Sequence, residues 1–174
     1  MRQWLNSDKG VGEWWTPQND YDRCPDQLTA KAGFLTGFDA DFLEVLRPTK
    51  VVTALNTITD ATSSNSVDPL ETTYDKIYLP ALEQMSIEPQ LAGEGTTWDY
   101  WKRASNMTTK MKQYQTYPQI RTFAIENHTS TQYVRLRSAY RGNSCNTWYV
   151  YSSGHVSNHY AYWAYRCAPA CDFC

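Results

Sequence analysis

Residues 133–174 read YVRLRSAYRGNSCNTWYVYSSGHVSNHYAYWAYRCAPACDFC, and this stretch decides how the rest of the chain is interpreted. Between Ser138 and Arg166 it contains no Lys, Glu, Asp, Gln or Met. A protein core would be rich in Leu, Ile and Val, and a solvated loop in Lys, Glu and Asp. Tyr and Trp instead offer large, rigid contact area, while Ser, Gly and Asn supply adaptable hydrogen bonds. The composition predicts a contact surface, and an ordinary aromatic hairpin with a polar outer face is the alternative.

A β-hairpin is predicted in the middle of this stretch. Two short alternating runs, residues 149–151 and 155–157, flank Ser152-Ser153-Gly154, and such a pattern is typical of a hairpin. Because side chains alternate between the faces of a strand, Val150 and Val156 are expected to face the core. The opposite face is expected to point outward and carries Tyr149, Tyr151, His155 and Ser157.

The remainder of the chain predicts short elements of both kinds. Strands are expected at residues 50–57, 75–79 and 131–137, the last with Val134 and Leu136 inward. Helical segments are expected at residues 2–5, 39–46, 81–85 and 94–107. Asp39 is the expected N-cap of the second helix, with Phe42, Leu43 and Leu46 on one face. Short strands scattered among short helices predict an α+β domain.

Length and charge limit the classes of protein that fit. A chain of 174 residues is long enough for one domain with a real core. Its formal net charge of −2 argues against nucleic-acid binding driven by general positive charge. The sequence has no apolar run of about 18 residues, so no membrane span is expected. No signal peptide is visible, and a location in the cytoplasm, on a phage particle or on a cell surface stays open.

The five cysteines are Cys24, Cys145, Cys167, Cys171 and Cys174. The odd number and the lack of an export signal favour free thiols in a reducing compartment. The last three are expected to pack as a thiol cluster. A zinc site is the less favoured alternative, since it would need Cys24 or Cys145 to complete it.

Motifs for catalysis are scarce, and no cofactor or metal site is predicted. The common phosphate-binding, dinucleotide-binding, zinc-protease and serine-hydrolase motifs are missing. Cys145 and His155 are conceivable as a nucleophile and its base, although residue types alone give no geometry. Glu88-Pro89-Gln90 resembles a calcium-binding triplet of C-type lectins, but one Glu and one Gln supply too few oxygens for calcium.

Residues 136–171 resemble the C-terminal signature of a widespread uncharacterised domain of gut bacteria and their prophages. That signature runs W-L-R-S-P, a variable run, Y-V, a Gly turn, a second variable run, and V-A-P-A. Residues 2–6, 31–39 and 75–80 also resemble family signatures, so the resemblance covers nearly the whole chain. This chain departs from the pattern at Arg135, Ala139 and Arg166-Cys167, where Trp, Pro and Gly-Val are usual. Met1 falls within what resembles a family helix, which is expected if the chain is truncated there.

Several members of that family resemble the variable proteins of diversity-generating retroelements, which carry a C-type lectin-like fold. In those systems a randomised Asn codon can encode many residues, but not Lys, Glu, Gln or Met, and the residue types between Ser138 and Arg166 fit this. Trp148 and Trp163 are not reachable from an Asn codon. The resemblance implies one C-type lectin-like domain over residues 1–174, with short helices around a small, mostly antiparallel sheet. Residues 1–132 would be scaffold and residues 133–174 a variable display region with a long loop-and-hairpin surface.

The predicted function is non-enzymatic binding of a protein or glycan ligand, with the oligomeric state open. The alternatives are a carbohydrate-binding module of fixed specificity and an enzyme of the formylglycine-generating fold, which the C-type lectin-like fold resembles. The predicted contact residues match family positions that vary: Tyr140, Arg141, Asn143, Asn146, Trp148, Tyr151, Ser153, His155, Ser157, Asn158, His159, Tyr160, Tyr162, Trp163 and Tyr165.

Overall fold

The computed structural model describes residues 1–15, 31–56, 69–99, 101, 123–124, 131–143 and 145–173. Its helices in these ranges are α1 Arg2–Leu5, α2 Ala40–Val45 and the 3-10 helices Phe34–Gly37 and Glu83–Met85. Its strands are β1 Leu46–Arg47, β2 Thr49–Ala54, β3 Leu70–Asp75, β4 Phe123–Ala124, β5 Thr131–Gln132, β6 Val134–Ala139, β7 Asn146–Val150, β8 Val156–Tyr160, β9 Arg166–Cys167 and β10 Asp172–Phe173. The mixture of short helices and short strands confirms the predicted α+β class.

The strands of the described residues form small sheets. β1–β10, β2–β3 and β4–β5 are two-stranded, and the largest sheet has four strands in the order β8-β7-β6-β9. The β1–β10, β4–β5, β6–β7 and β7–β8 pairs are antiparallel, as predicted for most of the sheet, whereas β6 and β9 run parallel. A parallel pair needs a long connection, and here the connection between β6 and β9 contains the β7–β8 hairpin.

The chain divides into two compact units. The first comprises Met1–Lys50, Tyr74–Tyr78 and Ala170–Cys174, and the second comprises Val51–Thr73 and Leu79–Pro169. In the first unit Asn6 ends α1, as predicted. Its side-chain amide donates to the carbonyl of Ile77 at 2.8 Å. Its Oδ1 accepts the Ile77 N–H at 3.0 Å, so one side chain satisfies both backbone groups of that residue.

The helix predicted at residues 39–46 forms, but it is one residue shorter at its C-terminal end. Asp39 occupies the N-cap with extended backbone, as predicted. Leu46 was predicted on the apolar face of this helix, and it instead begins β1, where it is buried and pairs with Phe173. Pro48 disfavours helical backbone at the residue before it, Arg47, and the pairing of Leu46 with Phe173 of β10 makes the backbone extended one residue earlier still.

The prediction of a strand at residues 75–79 is wrong, because β3 ends at Asp75, where the predicted strand begins. Ile77, Tyr78 and Leu79 are all buried, so burial here covers consecutive residues and does not alternate as in a half-buried strand. Tyr78 makes a single antiparallel bridge to Ala170, with N–O distances of 3.0 and 2.8 Å. The apolar residues of this segment are therefore buried without a continuous ladder. The neighbouring prediction, a strand at 50–57, is confirmed as β2, Thr49–Ala54.

The core of the second unit lies against one face of the four-stranded sheet. Leu136 of β6 and Val150 of β7, both predicted to face inward, contribute to it from the sheet. The 3-10 helix at Glu83–Met85 falls in the predicted helical turn at 81–85. Burying a Leu, Val or Met side chain contributes about 1.5–3 kcal/mol. The buried residues of this core, here called the core cluster, are Leu82, Met85, Trp101, Leu136 and Val150.

A buried carboxylate lies beside this core. Glu94 Oε1 accepts the Ala54 N–H of β2 at 3.0 Å, and Glu94 Oε2 accepts the Ser138 hydroxyl of β6 at 2.5 Å. Ser138 Oγ in turn accepts the Leu82 N–H at 3.0 Å. Burial raises the pKa of Glu94, while its hydrogen bonds and the charge of Arg137 act in the opposite direction.

Replacement of Glu94 by Gln should change how stability depends on pH. The folded protein binds the Glu94 proton more tightly than the unfolded chain, whose Glu pKa is about 4.3. This contribution is fully present below that value and is lost as the pH rises through the folded pKa. The free energy of unfolding of the native protein minus that of E94Q should therefore fall with rising pH, by at most about 1.4 kcal/mol per pH unit. Urea unfolding of both proteins between pH 4 and 7 measures this difference in free energy. A difference that rises with pH would contradict a raised pKa for Glu94.

Candidate functional site

The predicted hairpin is present, and its register defines two faces. Val150 lies opposite Val156, Trp148 opposite Asn158 and Asn146 opposite Tyr160. Gly154 has a φ of +83° and closes the turn by donating to the Tyr151 carbonyl at 2.9 Å. Val150 is fully buried, and Trp148 and Val156 pack against the core cluster. These alternate residues form the core side of the hairpin, and Thr147, Tyr149, Ser157 and His159 lie on the opposite side.

Tyr149 lies on the face predicted to point outward, but it is only 3% exposed, so that prediction is wrong for this residue. Tyr151 and Tyr165 pack against its ring at centroid distances of 4.9 and 4.7 Å, and Tyr133 at 6.0 Å. Burial raises the pKa of the Tyr149 phenol, and the neighbouring Tyr151 adds to the effect. Tyr133, Tyr149, Tyr151 and Tyr165, here called the tyrosine cluster, form a second small core on this face.

The tyrosine cluster is partly open to solvent. Tyr133 is exposed, and Tyr151 and Tyr165 are half-buried. The rings of Tyr133 and Tyr151 meet edge to face at 5.3 Å. Sequence reasoning did not include Tyr133 among the contact residues, although it precedes β6 by one position. The sequence did hold a signal for it: residues two apart on a strand share a face, so Tyr133 and Arg135 are expected on the same side of the sheet.

Three exposed aromatic side chains lie close together in the chain, at the end of β8 and in the turn that follows it. Tyr160 is 42% exposed, Tyr162 77% and Trp163 51%. The Tyr160 and Tyr162 rings stack with centroids 5.2 Å apart and planes 10° apart. His159 packs against Trp163 at 4.8 Å. Residues 160–163 are here called the aromatic turn, and it brings three predicted contact residues together.

Other predicted contact residues lie near the start of β7. Tyr140 meets Trp148 edge to face at 5.2 Å, and the Trp148 indole N–H donates to Gln90 at 3.3 Å. Arg141 donates to the Leu55 carbonyl at 2.8 Å. Asn146 Nδ2 donates to Asn158 Oδ1 at 2.8 Å. These side chains are half-buried and bonded to their neighbours, so they are less available to a ligand than the aromatic turn.

The remaining predicted residues are more dispersed. Ser153 and His155 are exposed at the closed end of the hairpin, and Ser157 is half-buried on the face of the tyrosine cluster. Asn143 is exposed in the β6–β7 connection, where its Oδ1 accepts the Cys145 thiol at 2.8 Å. The structure therefore does not gather the predicted set on one face, and its densest exposed group is the aromatic turn.

The Cys145–His155 pair considered as a nucleophile and base is not formed. Cys145 lies opposite Ala161, whose N–H donates to its carbonyl at 2.7 Å. His155 lies opposite Tyr151, whose backbone N–H donates to the His155 carbonyl at 2.7 Å. Six residues of extended strand separate those positions, or about 20 Å. No proton can pass directly between groups that far apart.

Within the described ranges, no three His, Cys, Asp or Glu side chains are grouped so that they could hold a metal ion. Among the helices of those residues, none has the length and apolar character needed to cross a bilayer. Of the expected terminal thiol cluster, Cys167 lies in β9 and Cys171 is half-buried, and Cys174 lies outside the described residues.

Comparison with known proteins gives a single assignment. None of the curated proteins and none of the solved structures that were compared with the chain matches it. Residues 1–172 match the model of a family described as a domain of unknown function (DUF6273). Because this match spans nearly the whole sequence, the chain belongs to the DUF6273 family.

Proposed function

We propose that this protein is a non-enzymatic ligand-binding module whose contact surface is the aromatic turn together with the open side of the tyrosine cluster. The observation that carries the proposal is the exposure of Tyr160, Tyr162 and Trp163 within four consecutive residues. Large aromatic side chains are usually buried, and a group of them at the surface is typical of an interaction site. Trp and Tyr are also the residue types most enriched among those that dominate binding energy.

The turn is suited to this role because it follows an ordered strand. The Tyr160 carbonyl accepts the Trp163 N–H at 3.2 Å, which closes the turn, and the Ala161 N–H donates to the carbonyl of Cys145, the residue before β7. A ligand therefore meets a surface that is already ordered, which reduces the entropy lost on association. A Tyr or Trp ring also has few rotatable bonds to immobilise.

We further propose that the fold is C-type lectin-like and that a retroelement diversifies the C-terminal display region. The resemblance of residues 136–171 to a family signature supports this, as does the lack of Lys, Glu, Gln and Met between Ser138 and Arg166. Residues 1–132 would then act as scaffold. Sequencing the natural locus tests the proposal, since a neighbouring reverse transcriptase with a near-identical template repeat is expected, and a locus without either would count against diversification.

The ligand-binding proposal is tested by screening the protein against a glycan array and a displayed protein library. The Y160S/Y162S/W163S variant should lose at least tenfold in affinity for any probe that the native protein binds. Tyr74 on β3 is 68% exposed and lies outside the proposed surface, so Y74S is the matched control and should bind normally. Recovery of glycans would favour stacking of sugar rings on Tyr160 and Tyr162. Equal binding by the triple variant and the native protein would overturn the proposal.

A further inference from the structure

Arg135 is a buried arginine at the centre of the four-stranded sheet. It lies on β6, opposite Tyr149 of β7 and Cys167 of β9, and it is 5% exposed. Burial of a guanidinium is costly unless its donors are satisfied. In the part of the chain that the structure describes, no carboxylate pairs with Arg135. Other groups must therefore compensate its charge.

The compensating groups come mainly from the backbone of the segment that carries the aromatic turn. Arg135 Nη2 donates to the carbonyls of Tyr160 at 3.1 Å and Trp163 at 2.9 Å. Nη1 donates to Thr147 Oγ1 at 2.6 Å and makes a longer contact, 3.4 Å, to the His159 carbonyl. The guanidinium carbon also lies 4.6 Å from the centroid of the Tyr165 ring. One side chain thus joins β6 to both ends of the aromatic turn.

We propose that Arg135 is the positioning residue that fixes the aromatic turn, and that it does so without recognising the side chains of that turn. Its bonds to residues 159, 160 and 163 all end on main-chain carbonyls, which every residue type possesses. The side chains of Tyr160, Tyr162 and Trp163 point to solvent and take no part in these bonds. The inference deepens the proposed function, on which its biological meaning rests, because it explains how a contact surface can change its residues and keep its shape.

Removal of the guanidinium should loosen the turn specifically. The Trp163 amide is protected by its bond to the Tyr160 carbonyl, so its hydrogen-exchange rate reports opening of the turn. In R135Q this rate should rise at least tenfold relative to amides of β7. Arg166 of β9 is exposed, and R166Q removes the same charge from the same sheet without touching the turn. It should leave the rate within twofold of the native value.

A second variant covers the case in which R135Q does not fold. Lysine keeps the charge, but its ammonium ends about where the guanidinium carbon lies, one bond short of Nη2, and it has no second nitrogen to keep the bond to Thr147. R135K should therefore also raise the exchange of the residue-163 amide. If a folded R135Q or R135K variant exchanged this amide within twofold of the native rate, the positioning role would be overturned.

The second part of the inference, that the turn keeps its shape whatever side chains it carries, is tested with Arg135 intact. In Y160S/Y162S/W163S the amide of residue 163 should remain protected to within threefold of the native protein, because the carbonyl bonds persist. A tenfold or larger loss of protection would show that the side chains hold the turn, and would overturn the inference whatever the Arg135 variants do. None of these readouts needs a ligand. If the triple variant bound screened probes normally while its turn stayed protected, the proposed function would fail and the positioning role would stand.

Discussion

Replacement of Val150 by Asp should unfold the protein or lower its free energy of unfolding by about 4 kcal/mol or more. Val150 is fully buried in the core cluster with Leu82, Met85, Trp101 and Leu136. The change removes an apolar side chain worth about 1.5–3 kcal/mol. It also buries a carboxylate with no cation beside it, which adds the cost of a desolvated charge. Typical domains have only about 5–15 kcal/mol of stability to lose.

Val156 provides a matched control, because it faces Val150 across the hairpin on the same side of the sheet. It is half-buried, on the edge strand, where an introduced carboxylate can reach water. V156D should therefore cost clearly less than V150D, and Y162S should change stability by no more than about 0.5 kcal/mol. Chemical unfolding of the three variants measures this order. Equal losses for V150D and V156D would contradict the difference in burial between Val150 on the inner strand and Val156 on the edge strand.

Truncation of Trp163 to Ala should cost about 2 kcal/mol of binding energy, a loss of about thirtyfold in affinity for any ligand recovered by screening. Trp163 is half exposed at the end of the aromatic turn, next to His159. Y162A should have a similar effect, because its ring is the most exposed in the turn. Ser153 lies at the closed end of the hairpin, and S153A should cost much less.

Isothermal titration calorimetry with each variant measures these losses. Tyr151 was as strong a candidate as Trp163 from the sequence, but its ring packs against Tyr133 and Tyr149. Y151A should therefore lower thermal stability as well as affinity, whereas W163A should lower affinity alone. If the largest losses instead came from residues near Glu88, with W163A binding normally, the aromatic turn would not be the binding site.

The parts of the fold that sequence predicts correctly are those decided by neighbouring residues. The hairpin follows from alternation around Ser152-Ser153-Gly154, and α1 ends at Asn6 as expected. Leu136 and Val150 are buried because their own strands place them on the apolar face. Each of these signals is complete within fewer than ten residues, so no distant contact is needed to interpret it.

The errors arise where distant segments decide the outcome. Alternation correctly assigned Tyr149 to the face opposite Val150, but Tyr133 and Tyr165, from before β6 and after β8, cover it. Arg135 alternates with the apolar residues Val134 and Leu136, but the sequence does not reveal its partners, since these are carbonyls of residues about 25 positions later in the chain. The parallel pairing of β6 with β9 is equally invisible to a local pattern. The face of a strand on which a residue lies can thus be predicted from sequence, whereas the exposed fraction of its side chain cannot.

A library in which positions 160, 162 and 163 are randomised together tests the central claim most directly, namely that these side chains serve a ligand and not the fold. Cell-surface display gives both readouts, with protease resistance reporting folding and probe capture reporting binding. We predict that most members remain protease-resistant, because Arg135 holds the turn by its carbonyls, and that nearly all lose the probe bound by the native protein. A library whose members mostly unfold, or mostly keep the native probe, would contradict the account.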